Sequence, residues 1–291
     1  MIKRRDTLLC LLLTGLSLLL GGCKLEILNP HGVIARDEMN LLIDSTNLML
    51  IVVIPVMLLT VLVAWRYRKK NTKAEYKPNW AHSYTIETIC WAVPCVIIAI
   101  LGVMTWVSSH TLDPYKAIQI KGKKPILIQA IALEWRWLFI YPEQHIATVN
   151  YLQIPIDTPI ILHLTSDAPM NSLEIPQLAG QIYAMGGMQT TLNIAADKAG
   201  IYRGLSTNYS GDGFAGMTFQ IKVGSDQEFT QWVHTVSRTG QKLTWADFND
   251  HLVPPTKDAT VAYFSLSSAE NIFEKDLDKY MEPQANSASL P

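Results

Sequence analysis

Residues 206–217 read STNYSGDGFAGM and contain Gly211, Gly213 and Gly216, a literal G-x-G-x-x-G. Such a spacing cradles a dinucleotide pyrophosphate only where it follows a strand and opens a helix, inside a βαβ unit of about thirty residues. Here GIYRGLST (200–207) precedes it and GMTFQIKV (216–223) continues it, both of strand character, so no helix N-terminus faces the glycines. The runs PILIQAIALEWRWLFIY (125–141), TPIILHLTS (158–166) and QTTLNIAA (189–196) are of the same kind, separated by turn residues. With no helices alternating among them, residues 111–224 are predicted to form a sandwich or barrel and not a doubly wound sheet. In the longest run, alternating Trp135, Trp137, Phe139 and Tyr141 put four rings on one strand face, either a core face or a docking surface.

Upstream of this domain the chain is greasier. It is 49% hydrophobic with a mean hydropathy of +0.15, and its net charge of -1 provides no field to gather nucleic acid. Lys3, Arg4 and Arg5, the apolar Leu8–Leu20 and the small residues before Cys23 describe a signal peptide over 1–22. LGGC resembles a bacterial lipobox, which makes Cys23 the expected lipidated residue and 23–40 a lipidated N-terminal segment. A transmembrane hairpin is predicted over 41–110, with spans at about 44–65 and 87–107 that contain Pro55 and Pro94. Arg66, Arg68, Lys69, Lys70, Lys73 and Lys77 against Glu75 place the connecting loop in the cytoplasm and both outer ends on the far side. Downstream, Ser225 with Glu228 forms a capping box and Thr244 with Asp247 a weaker helix start, predicting a partly helical arm over 225–281. The tail 282–291 has the composition of a disordered end.

The residues offer little chemistry of their own. No two of His31, His82, His110, His145, His163, His234 and His251 stand at metal-ligand spacing, and His163 lies in an alternating strand as a surface or core residue. No nucleophile elbow or Cys/His pairing appears in the exported part. Cys90 and Cys95, in the second apolar run, read as packing residues.

The order of lipobox, two-helix hairpin and exported β domain, with the segments LMLIVVIP, WRYRKKN, PNWAHS, YPEQHIATVN and QIYAMGGMQT, resembles subunit II of the haem-copper terminal oxidases, its bo-type quinol oxidase branch in particular. That resemblance implies a membrane-anchored α+β chain: a hairpin, an exported cupredoxin-like antiparallel β-sandwich and a small partly helical C-terminal arm. In the cytochrome c oxidase branch such a domain holds a binuclear copper centre. Laid along that branch's motifs, TSDAPMNSLEIP puts Asn171 where a histidine ligand stands, and the 206–217 stretch puts Ser206 and Ser210 at the cysteines, Asn208 at the glutamate and Phe214 at the histidine. Met217 alone keeps its ligand type. Copper relays need thiolates and imidazoles, so the expectation is a chain without copper or another cofactor and without catalytic residues. The resemblance further implies that haems and copper belong to a partner subunit I, with smaller membrane subunits beside it and ubiquinol as the substrate of the complex. The expected location is the bacterial inner membrane, with the C-terminal domain periplasmic. Two other readings stay open here: a copper-carrying cytochrome c oxidase subunit II, and a stand-alone lipoprotein acting in binding or assembly.

Overall fold

A computed structural model of the chain describes residues 25–75, 79–257, 260–267 and 270–281. The segment expected to be a signal peptide, Cys23 and the tail from residue 282 lie outside the described residues. Two long helices come first, α1 (Val33–Arg66) and α2 (Tyr84–Thr111). Their most apolar windows have mean hydropathies of 2.9 and 2.3, and only Ala35 and Ile97 are buried along them, so their apolar faces are turned outward as lipid-crossing helices require. Pro55 and Pro94 sit inside without ending either helix. Cys90 and Cys95 are exposed on α2, so the packing role expected of them is not fulfilled within this chain.

The first helix is longer than its apolar run. At about 1.5 Å per residue, 34 residues reach about 51 Å, against a hydrocarbon core of about 30 Å. The segment expected to be a separate lead-in is therefore helical from Val33, where Ala35, Arg36, Glu38 and Met39 all favour helix. Its start is fastened to the β domain. The His31 amide donates to the Gln177 carbonyl at 2.7 Å, the Asp197 amide to the His31 carbonyl at 2.9 Å, and Gly32 bridges Ala196. A Cβ on Gly32 would stand 2.4 Å from the Leu178 carbonyl oxygen, so the close approach requires glycine.

The β domain is a sandwich of two sheets, ordered β11-β12-β3-β2-β1-β5-β8 and β4-β10-β9-β6-β7. The strands are β1 (Ile126–Leu133), β2 (Arg136–Tyr141), β3 (Ile146–Val149), β4 (Tyr151–Pro155), β5 (Ile160–Ser166) and β6 (Asn171–Ile175). They continue as β7 (Ala179–Ala184), β8 (Thr190–Ile194), β9 (Gly200–Ser206), β10 (Thr218–Gly224), β11 (Gln241–Leu243) and β12 (Ala262–Leu266). Most pairs are antiparallel, but β1 with β5, β4 with β10 and β11 with β12 run parallel, which makes both sheets mixed. Between the sheets lie Trp137, Phe139 and Tyr141 with Leu162, Phe219 and Ile221. Three of the four alternating rings are thus core. The fourth, Trp135, belongs to the two-residue turn that splits the expected strand, Leu133 pairing with Arg136.

The arm from residue 225 does more than its capping boxes announced. Both boxes form, Ser225 accepting from the Glu228 amide at the start of α3 (Asp226–Thr239) and Thr244 from that of Asp247. Beyond them the chain adds β11 and β12 to the larger sheet, β12 pairing with β3. Phe248, Leu252, and Ile272 and Phe273 of α4 (Ile272–Met281) then cover the outer face of that sheet against Ile131, Leu133, Leu138 and Ile140. A sheet buried on both faces explains why β1 and β2 read as continuous apolar runs.

Candidate functional site

The 206–217 loop connects β9 to β10 at one end of the sandwich, with a single 3₁₀ turn at Phe214–Gly216. Its three glycines answer to different demands. Gly211 takes φ of +106°, and a Cβ on Gly213 would stand 2.2 Å from the Trp135 ring, while Gly216 faces open space. Trp135, at φ +66°, a costly conformation for a bulky residue, is held over this loop by its Nε1 donating to the Ser210 carbonyl at 3.1 Å. Lys257 Nζ lies 5.8 Å from its ring centroid.

Four of the six positions aligned with copper ligands converge. Asn171 begins β6 and Ser206 ends β9; both are buried, and Ser206 Oγ donates to Asn171 Oδ1 at 2.8 Å. Asn171 Nδ2 donates in turn to the Pro169 carbonyl at 2.9 Å. The Ser206 amide donates to the carbonyl of Met217, whose side chain is buried. Asn208 Nδ2 donates to the Met170 carbonyl at 2.7 Å, which ties the two segments together. Beside them the Ser172 and Thr207 hydroxyls meet at 2.5 Å and Gln181 Nε2 donates to Ser172 Oγ. The other two positions have different neighbours. Phe214 packs edge-on against Tyr209, ring centroids 5.7 Å apart, and the Ser210 hydroxyl is buried without a hydrogen-bond partner.

This donor set is neutral. The Ser206 hydroxyl and the Asn171 amide already satisfy each other, and neither thiolate nor imidazole is at hand, so the residues do not fit a redox copper centre. Among the described residues no three His, Cys, Asp or Glu side chains group as a metal site. His163 stands half-buried on β5, its ring held below the ordinary imidazole range by burial against an upward pull from Glu274. One feature escaped sequence reasoning altogether. Asp167, four residues before Asn171, is buried beside Asp276 of α4, two positions that no local motif connects.

No protein-family model matches the chain. Among curated proteins it is 50% identical over 264 residues to the cytochrome bo(3) ubiquinol oxidase subunit 2 of Pseudomonas aeruginosa, covering 91% of this chain and 79% of that one. It is 50% identical to the ubiquinol oxidase subunit 2 of Acetobacter aceti (79% of this chain, 76% of that one). With the Buchnera aphidicola (strain Bp) cytochrome bo(3) ubiquinol oxidase subunit 2 it shares 43% identity (94% and 95%). Among solved structures, the periplasmic domain of subunit II of cytochrome oxidase from Bradyrhizobium japonicum aligns at TM-score 0.38 and 22% identity, over 40% of this chain and 96% of that one. A chain of a heme-copper terminal oxidase dimer aligns at TM-score 0.37 and 15% identity, over 48% and 99%. At half the residues identical over nine-tenths of its length, the chain belongs to the ubiquinol oxidase subunit 2 family.

Proposed function

We propose that the chain is the non-catalytic subunit II of a proton-pumping ubiquinol oxidase, a complex that oxidises quinol and reduces oxygen to water in aerobic respiration. The observation that carries this reading is the Asn171–Ser206 hydrogen bond at 2.8 Å. Where the copper-carrying branch needs an imidazole and a thiolate, this chain has an amide and a hydroxyl that satisfy each other. A soluble one-electron donor on the aqueous side needs a metal relay in the exported domain. Ubiquinol, dissolved in the bilayer, reaches a haem without one.

Haems, copper and the quinol site then belong to subunit I, which this chain caps together with smaller membrane subunits. The hairpin and a lipid on Cys23 hold it in the bacterial inner membrane. The Arg/Lys-rich connection between α1 and α2 lies in the cytoplasm and the sandwich in the periplasm. The test is to purify the chain from membranes in mild detergent. Comigration with a haem-bearing polytopic subunit and ubiquinol oxidase activity, with no stoichiometric copper in the separated chain, is the expected result. Stoichiometric copper would identify a cytochrome c oxidase subunit II instead, and migration alone a stand-alone lipoprotein.

A further inference from the structure

The C-terminal helix α4 crosses the end of β5 and packs against β5 and β1. Asp276 projects from its buried side with no exposed surface, and neither carboxyl oxygen has a hydrogen-bond partner. The Asp167 carboxyl lies within hydrogen-bonding reach of it. Asp167 is itself buried: Oδ1 accepts from Lys279 Nζ at 2.6 Å and from the Tyr280 hydroxyl, while Oδ2 has no partner. Ionised carboxylates are acceptors only, so two of them facing each other in a dry interface repel unless a proton lies between. Among the described residues one cation, Lys279, lies beside these two acids.

We propose that Asp167 and Asp276 share one proton, and that this proton clasps the C-terminal helix to the sandwich beside the Ser166–Asn171 loop. The charged and titratable groups around the pair are few. On β5 there is His163, with Asp167 just beyond its end; on α4, besides Asp276, Lys279 and Tyr280, there are Glu274, Lys275 and Asp278, all exposed. β1 and the Met185–Gln189 turn contribute none, and Asp250 and His251 near Phe273 are exposed. The Tyr280 side chain rests on Gly186 and Gly187, where an added Cβ would come within 3.3 Å of its ring and 3.1 Å of its Cβ, so the helix end is seated as well as bonded.

Burial and the Asp167 charge push the Asp276 carboxyl up to about 7. The docked state therefore holds a proton that the undocked helix releases above the ordinary carboxylate range. Docking is fully supported below about pH 4 and loses support as pH rises towards 7. His163, lowered by burial, carries the opposite sign and is separated by its own variant.

The test is hydrogen exchange of residues 272–281 in the full-length chain in detergent, corrected for intrinsic exchange, between pH 5 and 8. In the wild type, the opening constant should rise about tenfold per pH unit up to about pH 7 and then level, as release of one proton requires. Asp276→Asn, whose amide donates to Asp167 as the shared proton does, should give a flat profile and a protected helix at pH 8. Asp167→Asn should also flatten the slope, and His163→Gln should keep it. A wild-type profile without slope, or the same slope in Asp276→Asn, would overturn the assignment. Protection of the wild type at pH 8 restored by millimolar calcium would also overturn it, in favour of a cation between the two carboxyls.

Discussion

At the scale of single residues, Gly213 and Gly216 share a motif and differ in what surrounds them. Gly213→Ala should push a methyl into the Trp135 ring, cost about 1–3 kcal/mol and shift tryptophan fluorescence, while Gly216→Ala should stay within about 0.5 kcal/mol, both read by thermal unfolding in detergent. Phe139→Ala, removing a fully buried ring that contacts Phe219 at 4.9 Å between centroids, should cost about 3–5 kcal/mol in the same assay. The contact between Asn171 and Ser206 means that two of the positions aligned with copper ligands face each other. Asn171→His, Ser206→Cys, Asn208→Glu, Ser210→Cys and Phe214→His together should therefore give a coloured copper-binding chain; a folded, colourless variant would show that the loop no longer has the ligand geometry. Sequence offers these positions only as an alignment with another branch's ligands, made on residue type and spacing. It could not expose the bonds among them, since Asn171 and Ser206 are 35 residues apart and meet only through the pairing of β6 with β9.

Elements were legible where their signals are local. The capping box of Ser225 and Glu228 marks the start of α3 because both partners lie within one turn, and Ser225→Ala should cost about 0.5–2 kcal/mol, measured by thermal unfolding. The turn between β1 and β2 was illegible for the converse reason. Glu134 and Trp135 carry no turn chemistry, and the bend is imposed from outside by Ser210 and Gly213, so the sequence alternation runs on through the break. β12 was missed because five residues after a Pro-rich stretch carry little signal alone; its partner β3 lies more than a hundred residues earlier. The parallel pairs arose the same way, since periodicity reports which face is buried and not which strand lies alongside.

Across the whole molecule, the larger sheet has a core on each face, and the outer one is closed by the last described helix. Truncation before residue 270 should uncover Ile131, Leu138 and Ile140 and appear as new binding of a hydrophobic dye to the purified chain. The fastening at the head of α1 bears on biogenesis. Gln177 Nε2 donates to the Asn29 carbonyl across 148 residues of chain, and Arg36 pairs with Asp197 across 161. The membrane hairpin is synthesised and inserted long before those partners leave the ribosome, so the top of the first helix waits with an unmet edge until the exported domain has crossed and folded. Closure of that long loop is then a late folding step, completed only after the second half of the chain has folded.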